Sequence, residues 1–366
     1  MARIDTRWAW VLLVLMLAGC TEGDLSLQAD EGPCLLEVHL TGVELTSDRA
    51  GTVPDVGTHL VRAGDGRFFT STNDPGIVAV WSSEGEFLAS VGNPGPGPEE
   101  FGTVRALSVD SQDRVHVLHS NTRWSLITSD LGVEPVATQP GLMHASSGNA
   151  ALVGDSMVVV AGHDPGAPEL QLHTVHAEEG TVASYRRLSM EYRAWMSLHP
   201  SVRWFREPGV VWTGPWQSSP HAYTLEQWST DGELLQTVTR EAEWLQEEPV
   251  GEDGTGPVRA TAFDLQRFSD GLAYVSMRIP DPDEVHQDGR TLRFDLIDLV
   301  SGEVLASGRR RGSQAGEPTV LTSVFPGSGL GYRMEYDDAG LATAHILELE
   351  LRPGPETTDE RCSLAR

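Results

Sequence analysis

Lysine is missing from this 366-residue chain; all 26 basic residues are arginine. Without a side-chain amine there is no Schiff base, no Ser–Lys dyad and no phosphate-loop lysine. Cysteine is scarce, at three residues, so a disulfide-dense miniature scaffold is excluded. Positive charge is also in short supply. Against 53 acidic residues the net charge is −27, and loss of Arg3, Arg7 and Asp5 with an N-terminal leader would leave it near −28. No basic footprint exists for phosphate, so nucleic acid is not an expected partner. Helix-period apolar runs are absent as well. What the chain has in quantity is turn chemistry, with 38 Gly and 22 Pro.

One long apolar run does occur, Trp8 to Leu17 (WAWVLLVLML), behind Arg3 and Arg7. About ten residues suit the apolar part of an export signal and are too few to span a bilayer. The run ends Leu17-Ala18-Gly19-Cys20, which resembles the bacterial lipobox. The resemblance implies cleavage before Cys20 and a diacylglycerol on its thiol, and hence a membrane partner reached through the N-terminal lipid. Thr21 rather than Asp follows, which by similarity to Gram-negative sorting argues for the outer over the inner membrane. Residues 20–34 then read as a lipidated, polar, flexible tether. About 14 extended residues would reach roughly 45–50 Å.

From Leu35 onward short β-branched and aromatic segments alternate with Gly, Asp and Pro. One segment recurs six times, a turn followed by an apolar strand: at Gly66, Asp113, Asp155, Pro208, Asp270 and Gly329. Each is followed by a more amphipathic strand, from Ile77, Arg123, Leu170, Ala222, Leu292 and Ala344. A tight turn and a further strand complete five copies, most clearly at Gly85, Gly232 and Gly302. Periods of roughly 40–50 residues with several strands each predict propeller blades. The sixth copy lacks its last strand, because Arg352-Pro353-Gly354-Pro355 interrupts it. An orphan strand, LLEVHL from Leu35, precedes the first copy. We therefore expect an all-β, six-bladed propeller over residues 35–352, with residues 35–40 pairing to 344–351 to close the ring, and a C-terminal tail at 353–366.

The stretch Phe87 to Ile127 resembles the NHL-type six-bladed propeller family, with Gly97, Glu100, Phe101, Val109, Asp110, Asn121 and Arg123 matching its pattern. His119 stands where that family usually has an acidic residue, and Asp113 where it usually has glycine. The resemblance implies the fold. It covers scaffolds and a few lyases alike, so it does not choose a function.

Candidate chemistry is sparse. His116/His119 and His173/His176 are spaced by three on strands, which sends each pair to opposite faces and rules out joint chelation. Gly327-Ser328-Gly329 is a turn rather than a nucleophile elbow. The Gly-rich 92–97 segment has no following helix and reads as a blade connection, not a phosphate cradle. Asp281, Asp283, Glu284 and Asp288 could hold Ca²⁺, but they lack the alternating spacing and closing Glu of a known loop. No catalytic residue, metal ligand or cofactor is assigned.

Tryptophan is unevenly placed. Trp204, Trp212 and Trp228 fall in strand-like runs and read as packing. Trp195, Trp216 and Trp244 fall in longer connections, near Tyr192, His199 and His221. The longest insertions, 93–103, 190–200, 241–258 and 279–290, should all open at one end of the ring. Tyr192, Trp195, His199, Trp216, Trp244 and Asp283 are therefore the candidate binding face, with loop packing as the plain alternative. The leading expectation is a non-enzymatic envelope lipoprotein holding a protein, peptide or glycan there. The alternative is a lyase- or lactonase-type enzyme with a divalent metal in the central channel. Finally, Cys34 and Cys362 remain once Cys20 carries lipid. Both flank the ring closure, so a disulfide between them is expected in an oxidising compartment.

Overall fold

The computed structural model describes residues 25–26, 29–48, 50–57, 59–72, 74–120, 123–138, 143–144, 150–163, 169–187, 201–203, 209–219, 221–242, 244, 261–280, 290–310, 323–355 and 357–363. Three strands precede the repeats: β1 (Leu25–Ser26), β2 (Ala29–Glu31) and β3 (Cys34–Thr46). The first blade is β4 (Leu60–Arg62), β5 (Phe68–Ser71), β6 (Val78–Trp81) and β7 (Phe87–Val91). The second is β8 (Val104–Val109), β9 (Val115–His119), β10 (Arg123–Ile127) and β11 (Val133–Thr138). The third adds the short β12 (Met143–His144) to β13 (Ala150–Gly154), β14 (Met157–His163), β15 (Leu170–His176) and β16 (Gly180–Arg187). The fourth is β17 (Ser201–Arg203), β18 (Val210–Ser219), β19 (Ala222–Ser229) and β20 (Leu234–Glu241). The fifth is β21 (Thr261–Ser269), β22 (Leu272–Pro280), β23 (Arg290–Asp298) and β24 (Val304–Arg310). The sixth is β25 (Ser323–Phe325), β26 (Leu330–Tyr336) and β27 (Ala342–Pro353), with β3 as its outer strand. The chain is thus a six-bladed β-propeller.

Neighbouring blades bury apolar faces against each other, because one four-stranded sheet cannot cover both of its own faces. Between the first and second lie Phe69, Val80, Val117 and Phe101. Between the fifth and sixth lie Tyr274, Leu296, Leu347 and Leu349. Alternation within each strand sends successive side chains to the two interfaces. Thus Leu296 packs toward the sixth blade and Ile297 toward the fourth. Trp212 is buried, and Trp228 packs at a tilt against Tyr185 with centroids 5.6 Å apart. Trp204 lies outside the described residues.

The ring closes as the sequence predicts. β3 pairs antiparallel to β27 from Thr46↔Thr343 to Cys34↔Pro353, with Leu40↔Leu347 and Leu36↔Leu351 inside the expected register. Cys34 and Cys362 are disulfide-bonded with Cα atoms 5.5 Å apart, and both are buried. Cys362 sits in a short 3₁₀ turn, Glu360–Ser363.

Part of the segment expected to be a free tether, residues 20–34, is paired to the ring. Leu25 and Ser26 pair with Val38 and Glu37, on the outer edge of the sixth blade. Ala29 and Glu31 pair with Gly308 and Ser307, on the outer edge of the fifth. Unpaired edges of β3 and β24 offer hydrogen bonds that a polar segment can take whatever its side chains. Gly32, at φ +102°, lets the strap lie against the carbonyl of Leu305 where a Cβ would collide. Among the described residues no helix is long and apolar enough to cross a membrane. Cys20 lies outside the described residues.

Candidate functional site

In every blade the strands are antiparallel, so two kinds of connection emerge at each end of the ring. At one end lie the connections joining first to second strands (63–67, 110–114, 155–156, 204–209, 270–271, 326–329) and third to fourth (82–86, 128–132, 177–179, 230–233, 299–303). All are short. The opposite end, the mouth, receives the connections between blades and those from second to third strands. It carries 92–103, 188–200, 242–260 and 281–289, as expected, and also 47–59 and 311–322. The sequence reading missed the last two, because the three-residue innermost strands that bound them carry no legible pattern.

Tyr192, Trp195, His199 and Asp283 belong to mouth connections outside the described residues. So does the acidic 281–288 segment considered for Ca²⁺. Trp216 is on β18, where its backbone pairs with Thr224. Trp244 is half-buried at the mouth end of the wedge between the fourth and fifth blades. Its ring lies 6.4 Å from Tyr223, and the Arg293 guanidinium sits 4.9 Å over it. Such a contact packs as well as binds.

Below Trp244 runs a polar chain that the sequence did not reveal. Tyr223 donates to Asp295 Oδ2 at 2.5 Å. Arg240 Nε lies 3.5 Å from the same oxygen, and Arg240 Nη2 donates to Glu31 at 2.5 Å. Tyr223 and Asp295 are buried, on β19 and β23 of adjacent blades. Burial pushes the Asp295 carboxyl above its ordinary range, although Ser307, Tyr223 and Arg240 pull it down. Burial, and then the neighbouring Asp295, push the Tyr223 phenol well above its own. No spacing rule could have linked residues 72 positions apart in different repeats. The chain ends on the N-terminal strap at Glu31. Beside it a cleft of about 480 Å³ is lined by Pro33, Thr239, Arg240, Glu241, Val304 and Arg361. Both arginines are already engaged, Arg361 with Asp298, Glu303 and Asp359.

At the mouth edge of the sixth blade His345 bridges Glu44 and Glu335, each at 3.0 Å, and Glu335 lies 3.9 Å from Arg333. On the outer strands of that blade, Glu37, His39 and Glu350 place possible ligand atoms within 4.8 Å of one another. Arg352 already pairs with Glu37 at 3.0 Å and Glu350 at 2.6 Å. This group is remote from the channel that the enzyme alternative requires.

The histidine pairs do diverge. Trp124 Nε1 donates to His116 Nδ1 at 2.8 Å, so Nε2 carries the proton and donates to Asp110 at 3.1 Å. Burial raises the Asp110 carboxyl, but hydrogen bonds from His116, Arg114 and Gln112 outweigh it and hold the group well below its ordinary range. His119 Nδ1 accepts from the Gly102 amide at 3.1 Å, and Nε2 meets Ser125 Oγ at 2.9 Å. The imidazole thus accepts a backbone hydrogen bond through Nδ1. Burial, then the Arg123 charge, lowers its pKa to about 4. His173 bonds Ser184 and His176 bonds Ser156.

The Gly/Pro-rich 92–103 connection is a clasp. Phe101 is fully buried, and its ring fills the space a Cβ at Gly92 would need. Arg123 Nη2 donates to Gly97 O at 2.6 Å, and Gly97 N donates to Glu100 at 2.7 Å. The motif that carries the family resemblance therefore serves to join two blades.

No family model matches the chain, and no curated protein matches it in sequence. Solved structures do. A member of the DUF4221 family from Bacteroides vulgatus matches with TM-score 0.56 and 10% identity, over 87% of this chain and 99% of that one. A protein from Bacteroides fragilis described as exported matches with TM-score 0.55 and 10% identity, over 87% and 95%. Virginiamycin B lyase from Staphylococcus aureus matches at TM-score 0.44 and 11% identity, over 86% and 99%, too loosely to bear on activity. The likeness is one of fold.

Proposed function

We propose that this protein is an exported, lipid-anchored propeller of the bacterial cell envelope that binds a protein, peptide or glycan through the mouth of its ring. The carrying observation is the asymmetry of the two ends. One end carries connections of at most six residues, while the other gathers the longer ones, up to 242–260. Stability alone gives no reason for that difference, and long loops on a rigid frame are where recognition is usually built. Tyr192 and Trp195 are the anchors in this reading, since aromatic side chains give large contact area at low entropic cost. Export is supported by the leader ending at Cys20, by the buried disulfide and by the fold shared with an exported Bacteroides protein. Anchoring rests on the lipobox.

The test is capture by the soluble body, with residues 1–19 removed and Cys20→Ser, against purified envelope fractions and peptidoglycan fragments. The Tyr192→Ala, Trp195→Ala double variant should lose capture with unchanged melting. Trp244→Ala should instead lower the melting temperature, because Tyr223 and Arg293 pack on that ring. Undiminished capture by the double variant would overturn the assignment of the mouth.

A further inference from the structure

The N-terminal segment does not hang from the ring; it is sewn along the outer edge. Passing upstream from Cys34, the chain covers the edge of the fifth blade at Ala29–Glu31 and then the edge of the sixth at Leu25–Ser26. Three features hold this strap. Arg240 grips Glu31, Gly32 permits close approach to Leu305, and the disulfide fixes Cys34 immediately after it. Only five peptide units then separate Leu25 from Cys20. Fully extended, they span at most about 18 Å. The roughly 45–50 Å available to a free tether is not available to a sewn one.

The direction of the strap matters as much as its length. β3 runs from the trimmed end toward the mouth, and β1 pairs antiparallel to it at Glu37 and Val38. β1 therefore runs toward the trimmed end, and the leader side of Leu25 leaves the flank of the sixth blade level with Val38, heading toward the mouth. Its reach of about 18 Å falls short of the roughly 26 Å of β3 that remain between Val38 and Thr46, so Cys20 stays within reach of the flank. Leu40 lies two residues beyond this pairing on the same outer strand and is 46% exposed. Val182, 47% exposed on the outer strand of the third blade, is diametrically opposite.

We infer that the flank of the sixth blade is the surface that faces the lipid bilayer, so that the propeller stands on its rim with the mouth open to the side. The inference rests on lipidation of Cys20. The acidic body has no electrostatic affinity for an anionic membrane, so the short leash rather than surface charge sets the orientation. Standing on the rim leaves the mouth free for a partner alongside the membrane. Attachment mouth-down would bury the proposed binding face.

The experiment uses the full lipidated protein in phosphatidylcholine vesicles that carry a spin-labelled headgroup. A fluorophore is placed on Leu40→Cys or, separately, on Val182→Cys. Mass spectrometry of the N-terminal peptide from the same vesicles first establishes the acyl group; an unacylated peptide defeats the lipid reading itself. With the acyl group present, quenching at 40 should exceed quenching at 182 by roughly threefold or more, given the reach of the leash. A 20-residue Gly/Ser insertion after Gly23 should erase the difference. Equal quenching at both positions in the uninserted protein, or an unchanged difference after the insertion, overturns the rim-down orientation.

Discussion

The seam between β3 and β27 closes the ring by joining distant parts of the chain, and the Cys34–Cys362 bridge lies at its end. Replacing both cysteines with serine in the soluble body isolates the value of that covalent link. The loop it closes is 328 residues long. The chain-entropy relation then gives roughly 5–6 kcal/mol as an upper figure, and a real denatured ensemble retains enough structure to reduce it. Two hydroxyls left buried in place of the sulfurs add a cost of about 1–3 kcal/mol if unpaired. The ladder from Cys34 to Thr46 remains, so the variant should still fold. We expect a loss of about 3–6 kcal/mol in urea unfolding followed by tryptophan fluorescence, with a raised m-value, because the uncrosslinked denatured chain exposes more surface. Hydrogen exchange should locate the weakness. Amides of Leu36 and Val38, on the buried face of β3, should exchange faster in the variant before those of β9 or β14 change. A loss below about 1 kcal/mol, or a uniform rise in exchange over all six blades, would refute the view that the bridge guards the weakest seam.

Three further outcomes follow from buried side chains, two polar and one apolar. The His119 imidazole titrates at 6.5 when unconstrained but at about 4 in the folded chain, so the unfolded state takes up its proton first. Its contribution is complete above pH 6.5 and is lost as pH falls toward 4, by up to about 3 kcal/mol; His119→Gln should flatten that part of the stability profile, and an unchanged slope would contradict the assignment. Tyr223→Phe removes the hydrogen bond to buried Asp295 and should cost roughly 1–3 kcal/mol by urea titration, with no cost if the pair contributes nothing. Phe101→Ala empties the clasp between the first and second blades and should cost about 3–5 kcal/mol, measured the same way; a loss under about 1 kcal/mol would show that the connection carries no packing.

Much of the architecture is legible in the residues, and the exceptions have physical reasons. Gly85, Gly232 and Gly302 mark third-to-fourth strand turns because their positive φ needs glycine. The orphan strand and the two cysteines foretell the closure because only a ring brings residues 34 and 362 together. Leu60–Arg62, Ser201–Arg203 and Ser323–Phe325 escape notice because three residues are too few to show an alternation. The strap escapes because its polar residues are held by edge pairing and by Arg240, not by a pattern of their own. Trp244 is placed on the candidate face by its long connection, and its contacts with Tyr223 and Arg293 are not legible in the sequence. Loop length is visible in sequence, whereas the direction of a side chain at a loop root depends on the neighbouring blade. The same limit hides the Tyr223–Asp295 pair, whose members belong to different repeats.

The claim that recognition occurs at the mouth is tested most directly by a hydrogen-exchange footprint of the soluble body with and without the captured envelope component. Protection should fall on 188–200, 242–260 and 281–289, with the turns 82–86, 128–132 and 299–303 unaffected. Protection confined to those turns, or to the outer strands of the blades, would contradict it.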